Sequence, residues 1–189
     1  RQAIELLTRE GLVRPEQGRG TFVTGRPAQD RWIKVQTSLA ELDRIYRDTR
    51  PKIVNLEESV VEAPIDEQDG TPAERYAFMR RVHSRDGAPY CVINIYLDQR
   101  VFARHAARYR KETVIPILLA DPKVTIARAH QVLNIGSADL EVAQCLNLPL
   151  NAPVADVRRV FNDSDGRVLY LGEVTYRGDA IRLEMDLTP

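Results

Sequence analysis

The side chains equipped to hold a small anion fall in a few short stretches. In the run Tyr76–Arg85, Arg81 and His83 stand two residues apart, so an extended strand points both from one face. A guanidinium is a planar fork that fits a carboxylate or a phosphate, and an imidazole titrates near neutral pH. The competing reading is a surface arginine and a satisfied structural histidine. Thr37 and Ser38 stand where a helix begins. The free N–H groups and the dipole there attract an anion, although a plain N-cap uses the same residue types. Alternation along Tyr90–Leu97 sets Tyr90, Val92, Asn94 and Tyr96 on one face and Cys91, Ile93, Ile95 and Leu97 on the other. In Arg167–Tyr176, Tyr170 and Tyr176 share a face. Tyr170 either stacks on and hydrogen-bonds a ring, or packs in the core with its hydroxyl at the surface.

Little in the chain points to catalysis. There is no Gly-x-Ser-x-Gly elbow, no His-Glu-x-x-His, no phosphate loop and no cysteine pair at metal spacing. Gly18-x-Gly20 lacks a third glycine and the strand-to-helix setting of a dinucleotide site. His83, His105 and His130 belong to three different elements. No catalytic residue, metal site or cofactor is expected.

The elements that must position these residues are legible in outline. The chain has 189 residues, with 27 basic and 27 acidic side chains and a net charge of 0. That balance excludes a globally basic nucleic-acid binder, and a hydrophobic fraction of 43% excludes a disordered chain. Residues 1–26 carry five arginines against three glutamates, a small local excess of positive charge. No apolar run approaches membrane-spanning length, and Cys91 and Cys145 suit free thiols in a reducing cytoplasm.

Ala3, Ile4 and Leu7 mark one face of a helix ending at Gly11, and extended runs at 12–15 and 21–24 flank a glycine-containing turn. Gly25–Asp30 reads as linker. Ser38-Leu39-Ala40-Glu41 is a capping box opening a helix to about Asp48. Strands are expected at Ile53–Val61, Tyr76–Arg85, Tyr90–Leu97, Val124–Leu133, Val154–Phe161, Arg167–Tyr176 and Ile181–Leu187. Helices are expected at Thr113–Ala120 and from a Ser137 cap to Leu146. Asp86-Gly87 and Asp163–Gly166 are hairpin turns. The class is α+β, an antiparallel sheet with helices packed on one side. The division is 1–24, a linker at 25–31, and 32–189.

Three motifs at the start carry a resemblance. Arg1-Gln2-Ala3-Ile4, Glu10-Gly11-Leu12-Val13 and Gly18-Arg19-Gly20-Thr21-Phe22-Val23 resemble the recognition helix and wing of a GntR-family winged helix-turn-helix. Residues from about 31 to 187 resemble the UTRA effector-binding domain of its HutC-type branch, which has a chorismate-lyase-like fold. The matching parts are Arg81 with Asp86-Gly87-Ala88-Pro89, Tyr96-Leu97, Leu146-Asn147-Leu148-Pro149, Asp165-Gly166-Arg167 and Tyr176-Arg177-Gly178-Asp179.

The resemblance implies a ligand-responsive regulator, expected to be a repressor and a homodimer on operator DNA, with Arg1, Gln2, Arg19, Gly20 and Thr21 at the duplex. A helix places side chains in the major groove, and a narrow hairpin tip brings a cation and backbone N–H groups close to phosphates. The first two helices of such a head do not precede Arg1 here, so this stretch by itself is expected to bind operator poorly. In the resembling family the strand of Arg81 supplies paired arginines that grip an anionic effector; Arg81 matches the first, and His83 replaces the second. Hydroxyl residues near Thr37 and Ser38 serve there for phosphate. Ile93 and Tyr170 stand where relatives carry acids. The expected pocket therefore comprises Arg81, His83, Thr37, Ser38, Asn94, Tyr96, Tyr170 and Tyr176. It suits an aromatic or unsaturated carboxylic acid more than a sugar phosphate. The alternative is a chorismate-lyase-like enzyme acting on a small carboxylic acid.

Overall fold

The computed structural model describes residues 2–9, 13–23, 33–34, 38–49 and 51–183. Arg1, Gly11, Leu12, the expected linker, Thr37 and the end of the expected last strand lie outside the described residues. Contacts divide the chain into two compact units, residues 1–33 and residues 34–189.

In the first unit, helix α1 (Gln2–Arg9) precedes an antiparallel hairpin of β1 (Val13–Glu16) and β2 (Gly20–Val23). Gly18 and Gly20 take φ of 79° and 98°, a region that costs a side chain with a Cβ dearly. The two glycines therefore allow so tight a turn around Arg19.

The second unit is built on one six-stranded antiparallel sheet in the order β4-β5-β6-β9-β8-β7. These strands are β4 (Lys52–Val61), β5 (Tyr76–Arg85), β6 (Ala88–Asp98), β7 (Arg128–Ser137), β8 (Pro153–Asn162) and β9 (Val168–Arg177). The two-residue strands β3 (Ile33–Lys34) and β10 (Ile181–Arg182) lie outside that sheet. The central strands read as nearly continuous buried runs because both of their faces are covered. The two edge strands, β4 and β7, are largely exposed.

One face carries the helical layer: α2 (Leu39–Thr49), α3 (Gln99–Arg104), α4 (Ala106–Tyr109) and α5 (Val114–Ala120). Val101, Phe102, Tyr109, Val114, Ile115, Ile117 and Leu118 are its buried contribution to the core. At the other face the short α6 (Leu140–Leu146) seats Leu146 on Val82 and Val92, and Ala63, Ile65 and Ala73 close over Tyr76, Val160 and Leu171. Burial of a Leu or Val side chain contributes about 1.5–3 kcal/mol, so these two small clusters suffice to anchor their segments. Among the described residues no helix is long and apolar enough to cross a membrane.

Three expectations need correction. The strand expected at Val124–Leu133 runs instead from Arg128 to Ser137. Asp121 takes the N–H of Lys123 on its carboxylate and that of Val124 on its carbonyl, which turns the chain and spends the β-branched residues 124–126 outside the sheet. Ser137 does not cap α6. It is still paired with Pro153, and Asp139 caps by accepting from the Val142 N–H at 2.8 Å. The last strand is Ile181–Arg182 as far as the described residues go. Residues 99–109, to which sequence reasoning assigned no element, form α3 and α4.

Candidate functional site

Strand register decides which side chains meet. Beneath the helical layer, Arg81 lies opposite Ile93, which lies opposite Val174, which lies opposite Val157. In one adjacent row Met79, Ile95, Gly172 and Arg159 follow one another across the same four strands. In the row on the other side His83, Cys91, Tyr176 and Ala155 do so. Arg81, His83, Tyr170, Tyr176 and Arg159 therefore share one face.

Asn94 and Tyr96 do not join them. Asn94 is paired with Arg80 and Glu173, and Tyr96 with Phe78, all on the opposite face. The half-turn of pleat between neighbours in a strand puts them beyond reach of Arg81.

Arg81 is fully buried, at 0% exposure. Its guanidinium donates to the carbonyl oxygens of Tyr109 and Glu112 and to the Met79 sulfur, and its Nε has no partner among the described residues. Burial pulls it down to about 10, with Tyr170 and Glu58 pulling the other way, so it stays charged at neutral pH. Glu58, meanwhile, is bonded to Arg110.

His83 is 3% exposed, and neither ring nitrogen has a partner among the described residues. Burial, reinforced by the charge of Arg81, lowers it to about 4. The expected charge variation near neutral pH is thus removed, and a neutral imidazole offers one donor and one acceptor.

Arg159 is the cation that sequence reasoning missed. It is 4% exposed, and its guanidinium donates to Gln131 Oε1, to the Tyr46 hydroxyl at 3.3 Å and to the Tyr176 hydroxyl at 3.3 Å. None of the three acceptors is a carboxylate. A signal was available: Ala155, Val157, Arg159 and Phe161 form a period-two set that is apolar except for the arginine. Tyr46, presented by α2, and Gln131, presented by β7, carried no comparable signal.

Arg159 lines a cleft of about 340 Å³ with Ser38, Leu42, His130, Gln131 and Phe161. Ser38 begins α2 as expected, its hydroxyl accepting the Glu41 N–H at 3.2 Å. The structure thus places the start of α2 beside a buried guanidinium. Phe161 lines that cleft and is backed by Tyr170, with which it stacks at a centroid distance of 4.9 Å. Tyr170 and Tyr176 are fully buried, and burial raises both hydroxyls above their ordinary value, so both are neutral. Cys91, on the same face, is likewise pushed up by burial and stays a thiol.

At the other unit, Gln2 is exposed on α1, and Gly20 and Thr21 open β2 at the hairpin tip. The Arg19 side chain is 79% exposed and lies 3.7 Å from Glu16. Such a tip can present a cation and backbone N–H groups to a phosphate. Among the described residues no group of three or more His, Cys, Asp and Glu side chains could hold a metal ion.

Known proteins share this architecture. The chain is similar to the HTH-type transcriptional regulator RB1450 of Rhizobium meliloti, 25% identical over 98% of this chain and 78% of that protein. It is similar, again at 25% identity, to the HTH-type transcriptional repressor NagR of Bacillus subtilis, over 95% of this chain and 74% of that protein. Among solved structures, the possible transcriptional regulator YydK of B. subtilis superposes with a TM-score of 0.66 at 16% identity, covering 99% of this chain and 81% of that one. PhnF of Mycobacterium smegmatis does so with a TM-score of 0.63 at 18% identity, covering 99% and 84%. The family model described as the UTRA domain matches residues 45–182. The six-stranded sheet, the helical layer over it and that match through most of the chain place this protein in the UTRA domain family.

Proposed function

We propose that this chain senses a small anionic metabolite and that binding controls how its regulator engages operator DNA, as a homodimeric repressor. The observation that carries this reading is the setting of Arg159. A buried guanidinium that, among the described residues, is bonded to an amide oxygen and two hydroxyls but to no carboxylate lines a cleft next to the start of α2. Desolvating a cation without a counter-charge costs several kcal/mol, so an anion entering that cleft is strongly favoured. The Phe161 ring, backed by Tyr170, favours a planar carboxylic acid over a polyhydroxylated sugar phosphate. The likeness to NagR, a transcriptional repressor, supports the regulatory sense.

In this reading Ser38, Arg159, Tyr170 and Tyr176 face the effector, Arg81 and His83 flank it, and Gln2, Arg19, Gly20 and Thr21 belong to the DNA side. A two-fold operator requires two heads, hence the dimer. The effector shifts the regulator only as far as its differential affinity for the two arrangements allows.

The test is a thermal-shift panel of aromatic and unsaturated carboxylic acids against sugar phosphates, repeated on Arg159→Met. The expected result is that an acid raises the melting temperature of the wild type and not of the variant. Stabilisation by sugar phosphates alone, or stabilisation that survives Arg159→Met, overturns the reading.

A further inference from the structure

The sensing face holds two buried guanidinium groups, and among the described residues neither is bonded to a carboxylate. Arg81 has two carbonyl oxygens and a thioether; Arg159 has an amide oxygen and two hydroxyls. The acid that interacts electrostatically with Arg81, Glu58, is half exposed and bonded to Arg110. Two positive charges therefore stand in a low-dielectric layer, with no carboxylate bonded to either among the described residues.

Their placement is specific. They sit in adjacent rows of the ladder, on β5 and β8, at either side of the central pair β6 and β9. Three inter-strand spacings and one step between rows separate their backbones, roughly 16 Å. Arg159 reaches inward to the Tyr176 hydroxyl on β9, and both guanidinium groups interact electrostatically with the Tyr170 hydroxyl. That hydroxyl stands over Gly172, 2.3 Å from where a Cβ would be, in the middle of the face. The floor between the two cations is otherwise apolar: Ile93, Ile95 and Val174, all buried. His83 stands one row beyond Arg81, its two ring nitrogens without partners among the described residues.

Cation, apolar floor with one central hydroxyl, cation: that sequence is complementary to a short carbon skeleton with an acid at each end. We infer that the effector is a small dianion with two separated acidic groups, a dicarboxylate or its like, bridging Arg81 and Arg159 across the Tyr170 hydroxyl. The inference rests on the reading of this face as the sensing pocket. One acid settles against Arg159 and the start of α2. The other takes Arg81 from the carbonyls of Tyr109 and Glu112, because a charge-assisted bond is about twice as strong as a neutral one. His83 donates to that second acid through one ring nitrogen. A single phosphate, although doubly charged, reaches only one guanidinium.

Calorimetric titration of the wild type with succinate, glutarate, adipate and isophthalate, each beside its monomethyl ester, tests this, with inorganic phosphate and benzoate as single-centre anions. The expected result is one diacid binding at least about tenfold tighter than its own monoester and than either single-centre anion. In Arg81→Met that advantage disappears, while monoester binding persists. Circular dichroism verifies the fold of the variant, and the wild-type comparison stands without it. A diacid and monoester of equal affinity, with binding still lost in Arg159→Met, overturns the dianion and leaves the sensing pocket intact. No binding by any of these anions overturns both.

Discussion

Tyr170 folds its ring back across Gly172, so that a Cβ at position 172 would lie 2.3 Å from the phenolic oxygen and 2.8 Å from Cζ. The ring is pinned on its other side by the stack with Phe161. It cannot swing away cheaply. Gly172→Ala is therefore expected to destabilise the protein by about 1–3 kcal/mol through overpacking, a fall of very roughly 2–10 °C in melting temperature. Adding Tyr170→Leu to that variant should recover part of the loss. Calorimetry on the single and double variants checks this, and an unchanged Gly172→Ala contradicts the packing described.

The buried imidazole makes stability depend on pH in a definite direction. His83 is lowered from 6.5 to about 4, so the unfolded chain binds the proton more readily than the folded one. Its contribution is fully present above about pH 6.5 and is lost as pH falls towards 4. Between pH 7 and pH 5 the loss is on the order of 2 kcal/mol. Arg81, Tyr90 and Cys91, which adjoin it, do not titrate in that window. Denaturant midpoints of His83→Leu should be flatter from pH 7 to pH 5 than those of the wild type. Equal slopes would refute the assignment.

On the opposite face Arg158 ties residues 64–69 to the sheet. It donates to Asp69 at 2.5 Å, to Glu173 at 2.7 Å and to the Pro64 carbonyl at 2.7 Å. Asp69 also accepts the Asp66 N–H at 2.9 Å. Asp69→Ala removes a buried acceptor from two donors at once and should cost about 1–3 kcal/mol. Proteolysis should become faster at residues 64–69 before any global change. Urea unfolding and limited digestion report the two effects separately.

The two thiols differ in access. Cys91 is fully buried and pushed up by burial, whereas Cys145 is half-buried. Thiolate reactivity requires both exposure and ionisation, so a disulfide reagent should label only Cys145 in the folded protein. Cys91 should react at the rate of unfolding. Rapid labelling of both at neutral pH would contradict the sealed layer beneath the helices.

Much of the fold was legible before any coordinates. Asp86-Gly87 and Asp163–Gly166 did mark hairpins, and Ser38 did cap α2, because turns and caps are decided by a few adjacent residues. Strand β7 was displaced because the β-branched residues 124–126 look like a strand whichever side of a turn they fall on. The short helices α3 and α4 were missed because each is too brief to show a period and is held by burial of Val101, Phe102 and Tyr109.

Alternation along β8 alone dictates that Arg158 and Arg159 point to opposite faces of the sheet. It does not say which of them meets an acid. The helical layer and the 64–69 segment settle that, since they come from chain far away: Asp69 and Glu173 reach Arg158, while Tyr46, Tyr176 and Gln131 reach Arg159. Charge compensation depends on neighbours in space, and for these two arginines the neighbours lie up to 113 residues away along the chain.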